Sequence, residues 1–247
     1  MNTNIFKVFH YYRDKNEFIR QISMDEHSWL FILKICAITI LLLFSYGFVM
    51  GVNHSMLQAV SAGIKLTILF ILSILICFPT FYVIQVIVGS RMKLINLSAI
   101  ILSGALLSGW ILVAFIPIVI FFMLTGGNYY FMQLLHIAIM AFSSIFGMLV
   151  VIDALKFNCE LENVYPKTGV TIFRIWIIIF MFVSIQLGWN LRPFMSQKSE
   201  SFQFFRQYEG NFYAAIIYSC DKLVNPTKVK PLQNPKTSIG DTTKPWR

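Results

Sequence analysis

Five apolar runs, at about Trp29–Met50, Ile64–Val88, Leu97–Leu124, Tyr129–Leu155 and Val170–Trp189, constrain this chain more than any other feature. Each is at or above the ~20 residues that an α-helix needs to cross a hydrocarbon core of ~30 Å. No water reaches the backbone there, so each run must close its own hydrogen bonds as a helix. Short gaps separate the runs, which predicts an all-α polytopic membrane protein, a bundle of about five transmembrane helices. Charge supports the same reading. Only 13% of the residues are charged, where a soluble chain carries about 25%. Mean hydropathy is +0.70.

The runs carry their own punctuation. Ser28 is placed to cap the first helix, Trp29 suits the headgroup level, and Lys34 can snorkel back to the near interface. A polar loop is expected from Gly51 to Gly63, holding His54, with Lys65 at the edge of the second helix. Pro79 in the second run and Pro117 in the third each remove a backbone hydrogen bond and are expected to kink their helices. Ser103-Gly104 and Ser108-Gly109 put small residues on the third helix; Ser143, Ser144 and Gly147 do so on the fourth. Small residues let backbones approach closely, so these two helices are expected to pack together.

Basic residues orient the bundle. Arg91 and Lys93 lie between the second and third runs, and Lys156 and Lys167 between the fourth and fifth. The other two loops carry essentially no Lys or Arg, so the positive-inside rule puts the N-terminus in the cytoplasm and the C-terminal segment outside. The expected location is a bacterial inner membrane, with the first run retained as a signal anchor. The net charge of +9 gathers towards the ends, at Lys7, Arg13, Lys15 and Arg20 and at Lys228, Lys230, Lys236, Lys244 and Arg247. That placement fits anionic headgroups rather than nucleic acid, for which no module is visible.

Four parts follow: a cytoplasmic segment 1–28, the helical bundle 29–190, an interfacial aromatic segment 191–224 and a flexible basic tail 225–247. The aromatic segment is too short and too polar to cross a bilayer. Its Phe202, Phe204, Phe205, Arg206, Tyr208, Phe212 and Tyr213 are the expected docking residues for a partner subunit. Asn211 can cap a short helix there with Phe212, Ile216 and Leu223 on one face.

No constellation for chemistry stands out. Cys36, Cys77, Cys159 and Cys220 form no C-x-x-C pair, and of four histidines only His136 lies inside a run. His136 reads as hydrogen-bonded within the bundle, and Gln85, Gln133 and Gln186 as bridges between helices. Asp153 and Arg174 lie near the cytoplasmic helix ends, where they can pair. Without a phosphate loop, nucleophile elbow or metal-ligand spacing, the expectation is no catalytic, cofactor or metal residues and no enzyme activity.

The stretch S-Y-G-F-V-M-G (Ser45–Gly51), followed by an apolar run with Lys65, Phe78, Pro79, Tyr82, Gly89 and Arg91, resembles the Yip-like family of small multi-pass membrane proteins. In that family a span opens with Lys and carries F-P-x-x-Y before a small-residue loop. The resemblance covers about Ser45–Asp153 and implies five spans, a cytoplasmic N-terminus and a role in organising membrane proteins. The segment Leu191–Tyr218 lies outside that pattern. The expected function is a non-catalytic accessory or scaffold subunit of a larger membrane complex. The alternative is a small transporter or channel using the Pro-kinked second and third helices.

Overall fold

A computed structural model of the chain describes residues 29–87, 93–161, 166–195 and 212–224. The described residues form seven helices: α1 (Trp29–Val52), α2 (Met56–Ile87), α3 (Leu94–Ala114), α4 (Ile116–Leu124), α5 (Tyr129–Leu161), α6 (Pro166–Asn190) and α7 (Phe212–Val224). The fold is an all-α polytopic bundle. Four stretches are long and apolar enough to span a membrane: α1, α2, Leu94–Leu124 of α3 and α4 taken together, and Tyr129–Phe157 of α5. Helix α6 adds a shorter apolar stretch, Arg174–Asn190. Large apolar side chains such as Leu33, Leu75, Phe142 and Ile178 are exposed on the outside. A water-soluble monomer does not tolerate so much exposed apolar surface, so lipid is the solvent of these faces.

The first correction concerns the loop expected at Gly51–Gly63. Only Asn53–Ser55 separates α1 from α2, and α2 is already helical from Met56. Ser55 caps it, its Oγ accepting the Gln58 N–H at 3.2 Å. The polar residues of this stretch are helical because they face inward: Gln58 and Ser61 are buried. Glycines make the tight hairpin possible. A Cβ on Gly51 would stand 2.5 Å from the Gln58 carbonyl oxygen, and one on Gly47 would stand 2.8 Å from that of Ala62. The backbones touch, leaving no room for a loop between them.

Helices α3 and α5 meet through the small residues named from the sequence. A Cβ on Gly104 would stand 2.7 Å from the Gly147 carbonyl oxygen. Ser108 Oγ donates across the seam to the Ser143 carbonyl at 3.0 Å. The two proline-bearing spans differ. Helix α2 remains helical through Pro79, whereas the third span breaks at Phe115 and restarts as α4 with Pro117 in its first turn. Both prolines are exposed. Helix α4 ends at Thr125, where Gly126 takes a φ of +83°, a backbone conformation at no steric cost only for glycine.

Besides a small cluster of Ile35, Leu42 and Leu106, two larger buried clusters form. One gathers Phe81, Leu97, Ile100, Leu155 and Trp176 near the start of α6. The other gathers Tyr46, Leu66, Leu112, Met132 and Met195 near its end. The second cluster frames the site.

Candidate functional site

Helix α6 stops inside the bundle. Its Gly188 lies opposite Leu69, since a Cβ there would stand 3.8 Å from Leu69 Cδ2. Leu69 is about 20 Å along α2 from Met56 at ~1.5 Å per residue, so the last turn of α6 ends well short of the α1–α2 turn. The chain continues as Leu191–Met195 without helical hydrogen bonding beyond Leu191 N–H, which donates to Leu187 at 3.0 Å. These residues fill the space above α6, and Pro193 and Met195 are buried there. Leu191 and Phe194 pack against the same buried cluster as Met195, so the first residues of the segment expected at the interface, 191–224, are joined to the bundle.

A backbone that leaves its helix inside a bundle needs donors for its carbonyls. Helix α2 supplies them. Lys65 Nζ donates to the Pro193 carbonyl at 3.1 Å. Gln58 Nε2 donates to the Pro193 and Phe194 carbonyls, at 3.3 Å each. Lys65 is 1% exposed and Gln58 fully buried. This overturns the placement of Lys65 at a helix edge: it lies within α2 and is turned into the core. A helix C-terminus carries partial negative charge, so a cation beside the end of α6 is also favoured by the helix dipole. Beyond Pro193, Arg192 folds back on Trp189, its guanidinium 3.0 Å from the ring centroid and its Nε donating to the Trp189 carbonyl at 3.2 Å.

A second polar pair lies in the same half of the bundle. The Tyr46 hydroxyl and His136 Nδ1 are 2.9 Å apart, joining α1 to α5. The rings meet edge to face, with centroids 5.7 Å apart. His136 is hydrogen-bonded within the bundle; the partner, Tyr46, had no signal in its own sequence neighbourhood. Replacing Tyr46 by Phe should leave a buried imidazole nitrogen without its partner. The expected loss is about 1–3 kcal/mol, measurable as a lowered Tm of the detergent-solubilised protein. An unchanged Tm would show that the pair contributes nothing.

Three buried polar atoms of this half have no hydrogen-bond partner among the described residues: Gln58 Oε1, Ser61 Oγ and His136 Nε2. The glutamines named from the sequence do not act as bridges. Gln186 is exposed, Gln133 is half-buried, and the buried amide of Gln85 has no partner among the described residues. The bridging glutamine is Gln58, inside the expected loop. Arg174 is exposed and Asp153 half-buried.

No protein-family model, curated protein or solved structure matches this chain.

Of the expected docking residues, Phe202, Phe204, Phe205, Arg206 and Tyr208 lie outside the described residues, as does the capping residue Asn211. Phe212 and Tyr213 open α7. Phe212 packs edge-on to Trp189, with centroids 6.2 Å apart, and Tyr218 packs on Tyr130 at 5.9 Å. These rings fasten α7 to the ends of α6 and α5. The opposite stripe, Tyr213, Ile217 and Val224, is 52%, 63% and 76% exposed. Residues spaced by four and seven share one helix face. Of the residues expected on one face, Phe212 and Ile216 are half-buried and Leu223, in the last turn of α7, is exposed.

Proposed function

We propose that this protein is a non-catalytic accessory or scaffold subunit of a larger complex in the bacterial inner membrane. The observation that carries the proposal is α7: one face is fastened to the bundle by rings, and the other presents Tyr213, Ile217 and Val224 outward. An aromatic and two aliphatic side chains on a fixed helix are the kind of anchors that dominate interface energetics. The partner is another integral membrane subunit, because α7 lies beside the spans rather than on a separate domain. The aromatics from Phe202 to Tyr208 extend the same segment in sequence. Polar groups of the core support a structural role, since Lys65 and Gln58 serve the chain's own carbonyls.

Truncation after Met195 tests this reading, because it keeps the buried residues 191–195 and removes α7. The truncated protein is expected to insert and stay monodisperse but to lose the stoichiometric membrane partner that the full chain retains in mild detergent. If every partner still co-purifies, the docking role is wrong.

The orientation proposed with this function has the N-terminus in the cytoplasm and the α1–α2 and α4–α5 turns outside. Single cysteines at Asn53 and Asn128, in a background without the native cysteines, should react with an impermeant maleimide from outside. Reaction only from the cytoplasmic side would invert the topology.

A further inference from the structure

The small residues of the α3–α5 seam leave a cleft on the side that faces α2 and α6. Gly104, Ala105 and Gly147 line it from the seam, and Phe70 of α2 and Trp176 and Phe180 of α6 line it from the other side. It encloses about 440 Å³, its partly open mouth included. The lining is apolar apart from Ser144 and Ser108, and the Ser108 hydroxyl already donates to the Ser143 carbonyl. A cavity of that character stays dry. Along α3 it runs from Ile101 to Ser108, ~10 Å at the helical rise. On the same measure Leu94–Leu124 is about 46 Å long, against a hydrocarbon core of ~30 Å, so a centred core begins about 8 Å in. Ile101 stands ~10 Å in, which puts the cleft in the hydrocarbon and its Ile101 end near the level where acyl chains begin. Trp176 belongs to that end, since it shares a buried cluster with Ile101 and Val151, whereas Phe70 packs on the cluster of Leu112. Trp176 is 3% exposed, and its indole N–H has no acceptor among the described residues. A buried donor left that way is costly.

We propose that this cleft holds one acyl chain of a bilayer phospholipid, with the ester end at Trp176 and the methyl end towards Phe70 and Ser108. The medium at this depth is hydrocarbon, so a chain enters without crossing water. Atoms that line a void lack partners for dispersion on that side, and a chain supplies them. No lining side chain is charged, so the cleft selects the chain and not the headgroup. An ester carbonyl that meets the Trp176 N–H as the indole turns would give that donor its acceptor. The site goes beyond the subunit role and is independent of it, since no residue of α7 lines the cleft.

The test uses the full-length chain in nanodiscs of phosphatidylcholine that carries a diazirine on one acyl chain, near the ester in one probe and near the methyl end in the other. Crosslinked residues are located by mass spectrometry. The first probe should label Trp176 and the second Ala105 or Ser108, although all three are buried, while the equally buried Leu112 and Met132, outside the cleft, stay unlabelled. Ala105→Leu fills the cleft and should abolish labelling of Trp176 without changing that of the exposed Ile178. Should that variant not fold, Ser144→Leu fills the cleft from α5, and the unmodified chain decides by itself. Labelling of the cleft no greater than that of Leu112, or unchanged on filling, overturns the site. Labelling displaced by an isoprenoid alcohol but not by unlabelled phospholipid gives the cleft to another kind of chain and overturns the proposal as well.

Discussion

Gly147→Ala is expected to cost the fold about 3 kcal/mol, the upper end of what overpacking usually costs. The new Cβ would stand 2.5 Å from the Gly104 carbonyl oxygen and would also collide with Ser108 Oγ. Serine can rotate away. The carbonyl belongs to α3 and cannot, so the two helices must separate. Separation would also stretch the Ser108–Ser143 bond, now 3.0 Å, and helices in lipid have no hydrophobic effect to hold them together at a greater distance. The check is the Tm of the purified variant beside Gly188→Ala, whose Cβ meets nothing nearer than 3.8 Å. Gly188→Ala should be close to neutral. Equal effects at both sites would refute the close-contact account of the α3–α5 seam.

Lys65→Met keeps the length and the apolar stem of the side chain and removes its donor. The Pro193 carbonyl then retains only the Gln58 bond at 3.3 Å, and a weakened buried acceptor costs about 1–3 kcal/mol. The loss should be local first. Residues 191–195 should exchange their amide hydrogens faster, while the α3–α5 seam stays protected. Thermal unfolding and peptide-resolved exchange measure the two parts separately. A variant as protected as the parent in 191–195 would mean that packing around Met195, rather than Lys65, holds this stretch in place.

The two predictions draw on different kinds of legibility. Gly104, Ser108, Ser143 and Gly147 stood out in the sequence because small residues repeated about a turn apart are conspicuous among Leu, Ile and Phe. Their meaning is also local, since a helix with a small-residue face has few uses in lipid other than close packing. Lys65 was visible as a residue but not as a buried one. Its position near the start of an apolar run fits the edge of a helix, and it is Pro193, 128 residues later in the chain, that meets it in the core. Tyr46 and His136 are likewise 90 residues apart.

The sequence by itself determined the solvent of this protein and the class of its fold. Hydropathy is a property of each run alone, and a run that long in lipid has only the helix open to it. It also determined which helices touch through small residues. The tertiary structure decided the rest: that α2 starts at Met56 rather than after Gly63, that α6 ends inside the bundle, and that residues 191–195 pack back on it. The reason is physical. Whether a polar residue such as Gln58 lies in a loop or faces inward from a helix depends on the groups that meet it there, and those come from distant parts of the chain.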